Sequence, residues 1–331
     1  MGKYNFGSGG PYFNGMPLVS GLPVTFGNTA GQGAGKYYFV NPTTGADGNQ
    51  GLSMDKPLAT VLAAYNKTTS NNHDVVVLSA TAAHAQTLML SVTNNRVHFW
   101  GLDAVGRYYG QRSRITSSGA STSGIALVQT TGVGTSFSNI KFDSGFTLDA
   151  SLYTFADGGE YTRMQNCEIY KSSDLDEAGA AELLMNGDSS YYSGCTIGSL
   201  DKEVSDARTN VLLTGGTITG KVCRDVMFEN CRFWLKSSSA TASHFHATTA
   251  TDVVRMLQIK NSEMIVAKLS SGTVGDAIII DAALTEGQIL VNNTCNLNST
   301  ALSTNTLAGV LYYGPEIATA GTAGNPVAVV D

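Results

Sequence analysis

The chain has 331 residues, a formal net charge of −6 and only 14% charged side chains, against roughly 25% in an ordinary soluble domain. So acidic a balance excludes the basic face that nucleic acid or an anionic membrane requires, and no run approaches the roughly 18 apolar residues of a membrane span. The 37 glycines, with abundant Ser, Thr, Asn and Ala, suit short strands joined by many turns and exclude a helical bundle.

Residues 1–35 read as an extended Gly-rich arm. Residues 1–46 hold no Asp or Glu, and their only charges are Lys3 and Lys36. Apolar anchors are scattered along the arm at Tyr4, Phe6, Tyr12, Phe13, Met16, Leu18 and Phe26. Alone in water such a segment buries too little surface to offset its ordering entropy, so neighbouring chains are expected to hold it. The opening MGKYNFGSGG lacks an apolar secretion segment, and Phe6 stands where a myristoylation signal wants Ser or Thr. The expectation is a protein made in a cytosol.

Two loop motifs at the start of the chain fall short of their ligands. The Gly31–Lys36 stretch resembles a phosphate loop, but Ala30 replaces its first Gly and Tyr37 its Ser/Thr. The Asp47, Asn49 and Gly51 stretch begins like a calcium loop, yet Leu58 occupies the twelfth position. A turn stabilised by Asp and Asn side chains is the expectation there.

A short helix is predicted over 57–65, with Leu58, Leu62 and Tyr65 on one face, capping the open first rung of a stack of strands. Buried strands are predicted at 75–78, 96–100 and 278–280.

From residue 137 one register recurs: apolar, any, Asn or Gly, any, any, apolar. It runs through Phe137, Asn139 and Phe142, then Met164, Asn166 and Ile169, then Tyr192, Gly194 and Ile197. It continues through Phe228, Asn230 and Phe233, then Ile259, Asn261 and Met264, and less cleanly Leu290, Asn292 and Cys295. The central positions lie 27, 28, 36, 31 and 31 residues apart. That is one coil of three short strands; a β-sandwich, the main competitor, has turn signals every ~8–12 residues and no longer register. Residues 36–295 are therefore read as an all-β parallel β-helix, a single solenoid. Apolar flanks feed the core, and Asn tolerates a left-handed corner where its amide can bond the Asn above and below.

Of the five cysteines, Cys167, Cys195 and Cys231 fall at one register position and Cys223 and Cys295 elsewhere. No Cys-x-x-Cys occurs and no His recurs beside them, so a stacked column of buried thiols is expected rather than a catalytic one. His244 and His246 share a strand face but have no third ligand near in sequence, so neither a metal nor any cofactor is expected. The tail 296–331, charged only at Glu316 and Asp331, reads as a second charge-poor segment or the final packing of the stack.

Residues 37–60, from Tyr37 and Val40 through Gly45, Asp47 and Gly51 to Pro57, Ala59 and Thr60, resemble the entry motif of pectate-lyase-like β-helix proteins, many of them virion proteins of tailed bacteriophages. The resemblance implies a right-handed helix, a homotrimer and one of two roles. One is a cement or decoration protein on the capsid surface, contacting the major capsid protein or another virion protein. The other is a tailspike or receptor-binding protein that binds or cleaves bacterial surface glycans. A passive glycan-binding decoration protein lies between the two, with Trp100 and Trp234 as candidate stacking platforms, although core packing is the commoner fate of such rings.

Cleavage needs paired carboxylates about 5–10 Å apart. Asp174, Asp176 and Glu177 are the catalytic candidates, although they sit in a loop between coils where a solvated turn is expected. Asp157, Asp188 and Glu229 look isolated, and no carboxylate is expected to recur on adjacent coils. The sequence favours a structural protein over an enzyme.

Overall fold

The computed structural model describes residues 35–102, 113–118, 125–145, 152–171, 179–204, 208–215, 217–218, 220–237, 239–268, 275–297, 299, 302 and 309–313. It also describes the backbone of three short strands in the arm, at Tyr12–Phe13, Met16–Val19 and Leu22–Pro23, which pair antiparallel. The two gaps between them are Asn-Gly and Ser-Gly in sequence, dipeptides suited to tight hairpins.

The rest is a parallel β-helix of three sheets, with ten, eight and seven strands. Each coil visits the three sheets in the same order. One coil runs Ser136–Ser138, Lys141–Asp143 and Tyr153–Asp157, and the next runs Arg163–Gln165, Glu168–Tyr170 and Ala181–Met185. Strand pairing between coils is parallel throughout this solenoid.

Register stacks like on like. In the ten-stranded sheet Val76, Phe99, Phe137, Met164, Tyr192, Phe228, Ile259 and Val291 form one inward column. The eight-stranded sheet contributes Ile115, Phe142, Ile169, Ile197, Phe233 and Met264. The seven-stranded sheet contributes Val128, Phe155, Leu183, Val211, Phe245 and Ile278. These side chains belong to one buried cluster extending from Tyr38 to Val310. Phe99 and Phe137 stack with ring centroids 4.9 Å apart, and Phe155 meets Phe137 edge-on at 5.1 Å.

The corners follow the recurring Asn. Asn139, Asn166, Asn230 and Asn261 have φ of 56°, 50°, 54° and 49°, and Gly194 has 63°. The sixth corner is Asn293, with φ of 45°. Asn292 instead ends the strand Gly287–Asn292 and pairs with Lys260, which corrects the last copy of the register by one residue. The predicted amide ladder is also smaller than expected. Among the described residues one amide-to-amide bond joins two corners, Asn293 Nδ2 donating to Asn261 Oδ1 at 2.8 Å. The column is held mainly by backbone, each corner N–H donating to a carbonyl of the next coil, as Asn166 does to Ser193 at 2.9 Å and Asn230 to Lys260 at 3.0 Å. Gly194 stands where a Cβ would lie 2.6 Å from Asn166 Oδ1, so a side chain there would displace the neighbouring amide.

The helix is shorter than predicted, Val61–Tyr65, with Thr60 Oγ1 accepting from the Ala63 N–H. Val61, Ala64 and Tyr65 face the core and Leu62 is exposed, which corrects the predicted face. The helix joins the same cluster as Tyr38 and Val40. Its start is set by the entry loop: Asp47 accepts from the Ala59 and Thr60 N–H groups at 2.9 and 2.8 Å and from the Thr60 hydroxyl at 2.9 Å. Asn49 Nδ2 donates to the Pro57 carbonyl at 2.8 Å. The loop is thus the side-chain-stabilised turn its residues suggested.

Candidate functional site

The catalytic candidates Asp174, Asp176 and Glu177 lie outside the described residues, as do Tyr4, Phe6 and Phe26 of the arm. The backbone of Tyr12, Phe13, Met16 and Leu18 lies in the small antiparallel sheet.

The three carboxylates that looked isolated, Asp157, Asp188 and Glu229, are engaged in structural contacts. Asp157 is fully buried and accepts from the Gly159 N–H at 3.0 Å, the Thr162 hydroxyl at 2.9 Å and the Tyr192 hydroxyl at 2.8 Å; burial raises its pKa. Glu229 accepts from the Tyr191 hydroxyl and pairs with Lys260 at 3.2 Å, and the Tyr191 bond lowers its pKa. Asp188 does have a carboxylate beside it, because it bridges to Glu160 on the preceding coil. The expectation that no carboxylate recurs is corrected at this point. Arg224 meets Asp188 at 3.6 Å and Lys221 meets Glu160 at 3.3 Å, so the pair sits in an ion-pair ladder.

The thiol column is as expected: Cys167, Cys195 and Cys231 are buried on consecutive coils. Burial raises the Cys167 and Cys231 pKa values well above the ordinary thiol range, the opposite of what a nucleophile needs. His244 and His246 do not converge. His244 is buried and meets Asn210 Nδ2 at 3.1 Å, whereas His246 Nε2 faces Asp281 at 2.9 Å.

A groove does open on the outer face of the eight-stranded sheet. It is shallow, with a cavity volume of about 30 Å³, and is lined by Lys141, Glu168, Tyr170, Thr196, Gly198, Ser199, Asp201 and Trp234. Two outward columns build it. Lys141, Glu168 and Thr196 are successive register partners, and Gly198 pairs with Trp234 one coil further on. Since Ile169 pairs with Ile197, Tyr170 stands over Gly198, and the two rings flank a glycine.

Gly198 is required by its backbone. Its φ is +87°, and a Cβ would meet the Trp234 carbonyl oxygen at 2.1 Å. The strand bulges just after it, between Ser199 and Glu203, which brings Asp201 to the rim. Trp234 is largely buried and its Nε1–H donates to Glu263 at 3.0 Å, so the indole is a fixed wall. Lys141 Nζ lies 4.9 Å from the centre of the Tyr170 ring and 3.6 Å from Glu168. The surroundings are acidic: burial first, then the charges of Asp143, Glu182 and Asp201, raise the Tyr170 pKa. Burial raises that of Glu168, against the pull of Lys141.

Apart from Trp234, no sequence motif singles out these residues. The signal that finds them is the register itself, read two and four places beyond each corner. Two places on come Lys141, Glu168, Thr196, Arg232 and Glu263, and four places on come Asp143, Tyr170, Gly198, Trp234 and Ile265.

Comparison with known proteins supports this architecture. The chain is similar to pectate lyase Pel9A, with a TM-score of 0.58 at 12% identity over 90% of this chain and 74% of the other. It is also similar to the pectin methylesterase of Aspergillus niger, with a TM-score of 0.51 at 16% identity over 88% and 86%. The Geobacillus virus E2 ORF18 protein superposes at a TM-score of 0.45 and 10% identity, too slight a likeness to argue from. No protein-family model and no curated protein sequence matches the chain. The fold shared with these proteins is a parallel β-helix, and at these identities the likeness concerns the fold alone.

Proposed function

We propose that the chain is a structural virion protein of a tailed bacteriophage, a trimeric cement or decoration protein on the capsid surface that is made in the host cytoplasm. The observation that carries this reading is the contrast between the solenoid and its two ends. The described core is supplied from Tyr38 to Val310, whereas residues 1–35 carry only Lys3, and 314–331 only Glu316 and Asp331. A charge-poor, aromatic-bearing N-terminal segment and a charge-poor C-terminal one, flanking a solenoid that has its own core, suit contact with the major capsid protein or with neighbouring subunits, where apolar burial contributes ~25 cal/mol per Å². Deleting residues 1–35 tests the reading. The shortened chain is expected to keep its β-sheet circular dichroism and lose binding to particles that lack it; undiminished binding removes the arm from the mechanism. Native mass measurement is expected to give three chains.

The groove favours a second reading, a tailspike or receptor-binding β-helix that binds or cleaves bacterial surface polysaccharide. Release of reducing ends or unsaturated products from capsule or lipopolysaccharide by the full chain is its test for cleavage, and retention of the chain on those polymers its test for binding.

A further inference from the structure

We infer that the stacked pair His73 and His98 is an acid-sensitive clamp on the root of the N-terminal arm: charging both imidazoles frees the turn 69–74 and, with it, Gly35 and Lys36. The inference goes beyond both readings above and holds under either.

The turn fixes the point where the arm meets the solenoid. Asp74 is fully buried, and its carboxylate accepts from the Lys36 N–H at 2.7 Å, the Thr69 N–H at 2.7 Å and Asn72 Nδ2 at 2.8 Å. The Lys36 carbonyl accepts in turn from the Val75 N–H at 2.8 Å. Gly35 lies so close that a Cβ there would meet the His73 carbonyl oxygen at 2.3 Å. The turn is tied to the next coil by backbone, the Asn71 N–H donating to the Asn95 carbonyl at 2.8 Å and the His98 N–H to that of Asp74 at 2.9 Å. It is tied also by His73, whose ring stacks on His98 with centroids 5.3 Å apart.

One proton is shared across that contact. His73 Nδ1 and His98 Nε2 are 3.0 Å apart, and His98 Nδ1 is 2.7 Å from the Ser136 hydroxyl. A neutral imidazole has one N–H and one bare nitrogen, so the neutral pair makes both bonds. A first added proton enters at His73 Nε2 and leaves His73 Nδ1 donating to His98. A second sets N–H against N–H and brings two like charges within one hydrogen-bond length. His98 starts the strand His98–Gly101, paired on its two sides with Val75 and Ser136. His73 sits in a turn at φ of 57°, so it is the turn that yields.

The surrounding charges leave this balance in place. Asp74 faces His73 from its own turn and Arg96 from the corner before His98. The first strand brings Lys36 at its start and Tyr38, whose hydroxyl lies in the field of Asp74. Strand Ser136–Ser138 carries no titratable side chain, and Arg163 follows Ser136 one coil further on. Burial and then Arg96 lower the His73 pKa against the pull of Asp74. Burial and then His73 lower that of His98 to about 4. In the open turn both rings take a proton near pH 6.5, so the clamp is complete above about pH 6.5 and is lost as pH falls toward 4.

Hydrogen exchange of the full-length protein, expressed as protection factors to remove the intrinsic effect of pH, tests this. Between pH 7 and 5 the Lys36, Thr69 and Val75 amides are expected to lose protection by about tenfold or more, while the distant corner amides of Asn166 and Asn230 keep theirs. His73→Asn suits the left-handed turn and cannot take a charge, and His98→Gln removes the partner instead. In each variant the loss between pH 7 and 5 is expected to shrink to less than threefold. Unchanged protection at the turn in wild type overturns the inference, as does a loss that the corner amides share in step. A wild-type loss retained in either variant also overturns it, and assigns the acid effect to the Asp74 carboxylate.

Discussion

Phe137 shows how single side chains carry this fold. It stacks on Phe99 at 4.9 Å, meets Phe155 at 5.1 Å and Phe142 at 5.8 Å, and is fully buried. Phe137→Ala removes contacts on both neighbouring sheets and is expected to cost about 3–5 kcal/mol in denaturant unfolding; a loss near zero would mean that the coils re-pack freely. The buried imidazoles set a pH dependence of defined sign. Burial, and then the charge of His73 3.0 Å away, lower the His98 pKa to about 4, and burial lowers that of His244 to about 3. In the unfolded chain both take a proton near pH 6.5. Their depressed folded values mean that the stability they contribute is complete above about pH 6.5 and is lost as pH falls toward 4 and then 3. Asp157, Glu168 and Glu182, whose folded pKa values are raised, act with the opposite sign. The informative quantity is therefore the difference in slope between wild type and the His98→Gln, His244→Gln double variant. The variant is expected to lose less stability between about pH 7 and 4.5, and identical slopes would refute the assignment.

At the scale of the element, the corner column separates backbone from side-chain effects. Asn230 is exposed with φ of 54°, so its value lies in tolerating the left-handed conformation. Asn230→Gly is expected to be nearly neutral and Asn230→Val to cost about 1–2 kcal/mol; the reverse order would restore the side-chain ladder as the main force. The thiol column makes a second prediction. In the native protein at most Cys295 is expected to react with a thiol reagent, because the other four are buried, and all five react after unfolding. These columns were legible in sequence because inward positions are apolar and this column of left-handed corners is Asn or Gly throughout, unlike the corners at Tyr161, Ser189, Asp225 and Arg255. The last corner departs from the sequence pattern for a physical reason. Asn292 and Asn293 are adjacent, and the inward position three places beyond the corner is the polar Asn296, so the apolar frame shifts onto Leu290 and Cys295. Of the groove only Trp234 was singled out in sequence, because outward residues obey no hydrophobic period and the meaning of the others emerges only when coils are laid over one another.

For the whole molecule, the governing fact is that each coil pairs its strands only with the one before and the one after. Thr162 and Ser190 hold equivalent places before Arg163 and Tyr191, which are register partners. Deleting residues 163–190 removes one complete coil and leaves every column in phase. The shortened protein is expected to fold with unchanged circular dichroism per residue and a lower melting temperature, whereas removal of half that segment is expected to abolish cooperative unfolding. Failure of the full-coil deletion to fold would show that the coils are not interchangeable units.

The same nearest-neighbour stacking bears on what happens under tension. A pull applied between the two ends loads the outermost coil first, since nothing further along the rod shares its strand pairs. Each coil that peels away, 28 residues between register partners such as Arg163 and Tyr191, releases roughly 100 Å of slack. A tethered rod of this design would give way by successive steps at similar force, lengthening as it dissipates a sudden load and leaving the coils not yet reached intact.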